Sequence, residues 1–354
     1  MTYAAALQPH LPVIAARAAA HDETAGFPAA DAELLHELGL IRAPLPRAWG
    51  GTGLGTAPGD GRDILDVLRL LGRANLSLGR LFEAHVNVAR LVVRYGGARQ
   101  LEHLAQRAGL GALFGLWVTD APQRPLCLRD GVLSGAKGPG SGAGHLRDAL
   151  VTVGHEGGTR MALIAISGDA PVLSLGTRLL GMHASTNGTV TLDGTPLPPT
   201  ALLGADGDYL REPDLSTGAW RGMAVALGGL DALLDTVRTT LLARRHDQAP
   251  LQQERFGQLL LARETAALWT IEAARKAESG TDPVADQVAY VNLARIAVES
   301  VSFDIMRHAQ RALGLGALVR PHPLERLLRD LTTYLRQPAP DDVLLEAARH
   351  GLAQ

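Results

Sequence analysis

The chain holds a single cysteine, Cys127, among 354 residues. No disulfide can close within one chain and no thiolate cluster can be built from it, a usage that suits a reducing compartment. An excess of either charge is also missing: 34 lysines and arginines stand against 36 aspartates and glutamates. With no global field to draw it to nucleic acid or anionic lipid, the protein is expected to bind neither. Long hydrophobic runs are absent too. No stretch approaches the ~18 uninterrupted apolar residues of a spanning helix. The alanine-rich start MTYAAALQPHLPVIAARAAAHDE has no basic leader and is broken by Pro9, His10, Pro12 and Arg17, so it does not read as a secretory signal. The expectation is a soluble cytoplasmic protein that does not enter a membrane. The 12 histidines show no pair at ligand spacing beside carboxylates, which leaves no metal site to assign.

What is present is an ordinary globular composition, long enough for a large core and more than one domain. Hydrophobic period divides it into three. From about residue 30 to 113, AELLHELGL, DILDVLRLLGRANL and AHVNVARLVVRYG place apolar residues three and four apart, which predicts helices. Between the first two lies PLPRAWGGTGLG, a loop by its glycine and proline content. From 114 to about 205, LFGLWVTD, DALVTV, MALIAI and GTVTLDG read as strands, with Asn187-Gly188 and Asp193-Gly194 as turn dipeptides. After about 218, Met223, Leu227, Leu230, Leu234, Val237 and Leu241 alternate steps of four and three, as do Val291, Ala294, Val298, Val301 and Ile305. The expected architecture is mainly α with an inserted β-domain. An N-terminal helical domain (1–113) leads to a barrel- or sandwich-like β-domain (114–205) and a C-terminal helical bundle (206–354), four helices of it spanning roughly 218 to 336.

Stripes of this kind locate packing, so function is sought in the loops and the β-domain. There, four segments resemble the acyl-CoA dehydrogenase family over nearly the full length. LPRAWGGTGLG is similar to that family's Pro-x-x-x-Gly-Gly-x-Gly loop, and LWVTD to its Val-Thr-Glu segment. GMHASTNGTVTLDGTPLP is similar to its Gly-Met-Arg-x-Ser stretch. HAQRALGLGALVRPHPLERLLRD is similar to its Gln-x-x-Gly-Gly-x-Gly loop and Glu-x-x-x-Arg-Asp helix. The resemblance implies FAD held at a subunit interface, a homodimer or homotetramer, and a small-molecule substrate such as an acyl-CoA. It places Val118, Thr119 and Ser141 along the flavin ring. Gln310 and Gly314 are placed at the neighbouring subunit's cofactor, and Arg244 or Arg245 at the pyrophosphate. A competing alignment sets the arginine motif on QERFG at 253–257; the preferred one turns the family's Phe-Gly into Asp247-Gln248.

Thioester dehydrogenation needs a carboxylate to take the α-proton while the flavin accepts hydride. The family's glutamate sits in a Tyr-Glu-Gly-Thr turn, which here becomes Gln337, Pro338, Ala339 and Pro340. Some relatives carry it on the first bundle helix beside an arginine; that arginine corresponds to Arg221, a substrate-side candidate, and the base position to Trp220. The Gly-Ser-Asp of the loop after Val-Thr-Glu is missing, and Pro139 stands near the place of the flavin-side aromatic. The remaining candidates for the base are Asp341 and Asp120, with Glu212 and Asp214 behind them. The leading expectation is a flavin-dependent oxidoreductase acting on CH–CH groups of an acyl thioester or related small substrate with a noncanonical base. The alternatives are a flavin oxidase or monooxygenase on the same fold, and a non-catalytic binding or assembly protein.

Overall fold

The computed structural model describes residues 2–59, 61–336 and 338–353. Its N-terminal part is helical: α1 (Tyr3–Leu7), α2 (Leu11–Thr24), α3 (Ala29–Glu37), α4 (Arg62–Ala74), α5 (Leu76–Tyr95) and α6 (Ala98–Gly109). Helices therefore begin well before residue 30. Pro9 and Pro12 lie in the opening turns of a 3-10 segment and of α2, where a missing N–H leaves no bond unmade; they start helices instead of breaking one. PLPRAWGGTGLG forms the irregular connection to α4, with one 3-10 turn at Arg47–Trp49. The side chain of Asn75 caps α5, accepting from the N–H groups of Ser77 and Leu78 at 3.0 and 3.3 Å.

Among the described residues nine strands follow: β1 (Phe114–Trp117), β2 (Cys127–Arg129), β3 (Val132–Ser134), β4 (Ala136–Gly140), β5 (Asp148–His155), β6 (Gly158–Ala165), β7 (Val172–Ser174), β8 (Gly188–Thr191) and β9 (Leu202–Leu203). They form two sheets. One has the order β3-β2-β5-β6-β9, with β1 parallel to the first half of β5; the other is β4-β8-β7. Asp193-Gly194 makes a turn with Gly194 at φ +75°, whereas Gly188 is extended and opens β8. Asp148, wholly buried at the start of β5, fixes the sheet to α6: Arg107 donates to it at 2.8 Å and His103 Nε2 lies 3.1 Å away.

The C-terminal part is α7 (Asp214–Thr217), α8 (Ala219–Ala243), α9 (Pro250–Ser279), α10 (Val284–Leu313), α11 (Pro323–Tyr334) and α12 (Pro340–Leu352). Helices α8 to α11 form the bundle the period predicts, and α12 is added against α10. Of the two apolar stripes, all but Leu234 and Val301 are buried. Helix α8 also reaches back to the N-terminal part at backbone distance. A Cβ on Gly72 would stand 2.0 Å from the carbonyl oxygen of Val225, and one on Gly228 2.0 Å from that of Arg69. Only glycine permits this approach. Leu251, Leu260, Leu261 and Leu268 of α9 and Leu242 of α8 are exposed.

Three segments far apart in sequence meet at Arg329. Its guanidinium donates to both carboxylate oxygens of Asp22 in α2, at 3.2 and 2.6 Å, and to Glu325. The imidazole of His183 approaches the same aspartate at 3.1 Å, and the N–H of Met182 donates to Asp330 at 2.5 Å. The Gly-Met-His and Arg-Asp motifs thus tie the β-domain, α2 and α11 together. Among the described residues, no helix is long and apolar enough to cross a membrane.

Candidate active site

The segment Val118–Asp120 leaves β1 and runs beside β4. Asp120 pairs with Lys137 as an isolated antiparallel bridge, and the N–H of Gly138 donates to the carbonyl of Thr119 at 2.9 Å. From below, the ammonium of Lys137 donates to the Val118 carbonyl at 3.1 Å and to Thr152 Oγ1 at 2.9 Å. Thr152 Oγ1 in turn donates to the same Val118 carbonyl at 3.0 Å. Held this way, Thr119 stands at the surface of the domain, exposed to solvent.

Asp120 does not stand free. Its carboxylate lies 2.7 Å from the Lys137 ammonium and accepts from the N–H of Leu126 at 2.9 Å. The lysine side chain is only 1 % exposed; burial lowers its pKa, and the hydrogen bond and charge of Asp120 act against that.

Ser141 follows β4 directly. Its hydroxyl donates to Asn187 Oδ1 at 3.0 Å, and its carbonyl accepts from the indole N–H of Trp117 at 2.8 Å. The Asn187 amide donates to Ser185 Oγ at 2.6 Å, so the serine rests on the turn before β8. Next to it, the buried Thr186 Oγ1 has no hydrogen-bond partner among the described residues. The exposed Thr119 and Pro139 lie at β4 and Ser141 and Thr186 at the turn before β8, and the hydroxyls of Thr119 and Thr186 are the donors this surface offers to a flat ring carrying carbonyl and nitrogen acceptors.

The other expected cofactor residues collect at the far end of α10. Arg244, the C-cap of α8, donates to the carbonyl of Leu313 at 2.8 Å. Arg245 is exposed, at φ +55°. Gln310 is exposed and its carbonyl accepts from the N–H of Gly314 at 2.9 Å. Gly314 has φ +71°, and among the described residues beyond its chain neighbours nothing lies within 4 Å of where its Cβ would be. Arg244, Gln310 and Gly314 thus share one open corner. Of the competing motif, Arg255 reaches Gln252 at 3.5 Å.

Arg221 is buried in an ionic network. It donates to Glu278 at 2.6 Å and to Asn87 at 3.2 Å, and lies over the ring of Trp220, 5.0 Å from its centroid. Burial lowers its pKa to about 10. Glu278 also accepts from Arg90 at 2.6 Å and from the Trp220 indole at 2.9 Å. Desolvation would raise the carboxyl's pKa, but the charges and hydrogen bonds of these partners hold it below its usual value. Trp220, at the second family base position, is thus a fully buried hydrogen-bond donor.

At the other base position, α11 ends at Tyr334 and α12 starts at Pro340; Gln337 lies outside the described residues. Pro338 accepts through its carbonyl from Arg295. Asp341 and Asp342 occupy the exposed first turn of α12, where a carboxylate is favoured by the helix dipole. Glu212 accepts from the Ser216 hydroxyl at 2.5 Å, and Asp214 from the Tyr95 hydroxyl at 2.6 Å.

Sequence reasoning read the second half of α5 as helix and passed over its polar residues. Arg80, Glu83, Asn87 and Arg90 form one polar stripe at helical spacing along α5. Glu83 is 7 % exposed and accepts from Arg80 at 2.5 Å, from the Asn87 amide at 2.8 Å and from the Tyr334 hydroxyl at 3.3 Å. Burial, and then the charge of Glu83, push the Tyr334 phenol well above its ordinary pKa. The i, i+3 and i+4 spacing in GRLFEAHVNVAR carried the signal. A groove of about 640 Å³ between α4, α8 and α9 is lined by Arg69, Arg73, Asp231, Asp235 and Arg263 and shares no residue with these sites.

Two family descriptions match this chain: "Acyl-CoA dehydrogenase, N-terminal domain" over residues 12–109 and "Acyl-CoA dehydrogenase, C-terminal domain" over residues 213–335, together more than half of it. The chain belongs to the acyl-CoA dehydrogenase family. This family member is 25 % identical, over 349 residues, to cyclohex-1-ene-1-carbonyl-CoA dehydrogenase of Geobacter metallireducens, covering 90 % of this chain and 88 % of that protein. Its fold is similar to FMN-bound TdsC from Paenibacillus sp. A11-2, with a TM-score of 0.85, 18 % identity and coverage of 99 % and 97 %. It is also similar to KijD3 in complex with FMN and dTDP-3-amino-2,3,6-trideoxy-4-keto-3-methyl-D-glucose, with a TM-score of 0.83, 22 % identity and coverage of 99 % and 93 %.

Proposed function

We propose that this acyl-CoA dehydrogenase-family protein is a flavin-dependent oxidoreductase of the oxidase or monooxygenase kind, acting on a small polar molecule. One observation carries the choice: neither family base position offers a proton acceptor. Trp220 fills one, Pro338 occupies the other, Asp120 is paired with Lys137, and Asp341 stands in an exposed helix turn. The FMN-bound neighbours TdsC and KijD3 support the flavin, and the polar stripe of α5 beside Arg221 suits hydrogen-bonding substrates better than an alkyl chain.

A bound flavin would supply hydride acceptance or, once reduced, reaction with oxygen. Val118, Thr119 and Ser141 would orient the ring from the β-domain. Arg244, Gln310 and Gly314, with Arg245 beside them, would meet the distal part of FAD in a neighbouring subunit. Tyr334, Glu83 and Arg80 would hold the substrate's polar groups. The homo-oligomer this requires, a dimer or tetramer, is supported by the exposed leucines of α9; Leu261→Glu with Leu268→Glu is expected to lower the mass measured by light scattering to that of one chain. The lone cysteine supports a cytoplasmic location.

The second reading, acyl-thioester dehydrogenation with Asp341 or Asp120 as base, is favoured by the name of the Geobacter relative. Purified protein incubated with FMN or FAD and freed of excess is expected to show oxidised-flavin absorption. Reduced flavin supplied with oxygen and an amine- or heterocycle-bearing substrate panel should yield an oxygenated product. Anaerobic bleaching by acyl-CoAs, lost in Asp341→Asn, would establish the second reading instead. A colourless protein that takes up neither cofactor removes both and leaves a binding or assembly role.

A further inference from the structure

We propose that Lys137 and Asp120 are a positioning pair that fixes both the edge meeting the flavin ring and the electrostatic potential there, and so sets the flavin's reduction potential. The inference rests on the flavin reading above. Its basis is the ladder around Thr119. Val118 and Asp120 flank that residue, and one ammonium binds both, the first through its carbonyl at 3.1 Å and the second through its carboxylate at 2.7 Å. Thr152 Oγ1 completes the lysine's donor set at 2.9 Å.

A buried lysine in the middle of a strand is expensive unless its charge is matched and its donors are used. Here the three partners are a backbone carbonyl, a hydroxyl and one carboxylate. The cation is 1 % exposed and its counter-ion 45 % exposed, so the two charges are screened unequally: the lysine acts through protein, the aspartate partly through water. Together they present nearly zero net charge next to Thr119. Removing either member leaves the other uncompensated, with opposite signs in the two cases. A reduced flavin carries more negative charge than an oxidised one, so an uncompensated cation favours reduction and an uncompensated anion opposes it.

The test is anaerobic potentiometry, with reference dyes, of flavin-loaded wild type, Asp120→Asn, Lys137→Met and the double variant, with FMN and FAD dissociation constants measured in parallel. Asp120→Asn should raise the reduced-to-oxidised ratio at a fixed potential about tenfold, an upward shift of about 30 mV for a two-electron couple. Lys137→Met should shift it downward, and the double variant should return close to wild type. A loss of packing alone would weaken flavin binding in every variant without this change of sign. If Lys137→Met does not fold, Asp120→Asn decides alone, since its side chain is half exposed: an unchanged or lowered potential overturns the pair's role. Wild type that binds neither FMN nor FAD overturns the flavin reading itself.

Discussion

Burial decides the protonation of His85. Its buried ring projects from α5, with Nε2 2.8 Å from the carbonyl of Ile41 and Nδ1 accepting from the N–H of Phe114 at 3.2 Å. Desolvation lowers its pKa to about 4 from 6.5. The unfolded chain therefore binds the extra proton first on acidification. The stabilisation is complete above the unfolded value and is lost as pH falls from 6.5 toward 4, with about 2 kcal/mol gone between pH 7 and pH 5. Urea unfolding at the two pH values should show that loss, and His85→Gln should flatten it. Arg244 makes a second prediction: Arg244→Ala should weaken FAD binding about tenfold or more, the size of a lost charge-assisted bond, and leave FMN, which has no distal nucleotide, unchanged in the same titration. Candidates of the second kind came from the sequence, where arginine, glutamine and glycine stand in motif spacing, and the fold brings Arg244, Gln310 and Gly314 to one corner. The pairing of Lys137 with Asp120 was not legible: the two lie 17 positions apart, joined by an isolated bridge between β4 and the segment that follows β1, which no local pattern announces.

Among the elements, α4 and α8 meet at backbone distance through Gly72 and Gly228. Gly72→Ala and Gly228→Ala should each cost about 3 kcal/mol, because the added methyl meets a carbonyl oxygen of the facing helix and the two axes must part. The urea midpoint should fall while the slope of the transition is kept. Period predicted α8 and α10 well, since each buries one continuous stripe. It passed over α1 and α2, where alanine gives little amphipathic contrast and the prolines read as breaks. It left α12 unread as well: Pro340, Asp341 and Asp342 suit the first turn of a helix, but next to a missing catalytic turn they drew attention as chemistry. In the β-domain β1, β5, β6 and β8 were legible as short apolar runs, and the shorter or glycine-rich β2, β3, β4, β7 and β9 were not. Their division into two sheets was not, because it depends on long-range pairing such as β1 alongside β5.

For the molecule as a whole, the cluster at Arg329 matters most. Arg329→Ala would leave the buried carboxylate of Asp22 with only an imidazole beside it, and a loss of about 3–5 kcal/mol is expected in chemical denaturation, with Arg329→Lys recovering part of it but not the bidentate geometry. The same contact bears on how the protein is made. Asp22 and Arg329 are separated by 307 positions, so at about 5–20 residues per second of synthesis the aspartate waits roughly 15–60 s for its arginine to be added. During that interval α2 has emerged from the ribosome and its final partner does not yet exist. The N-terminal helices must then be held by their own apolar contacts or by chaperones. A slow-codon stretch late in the message would lengthen the wait without changing a single amino acid.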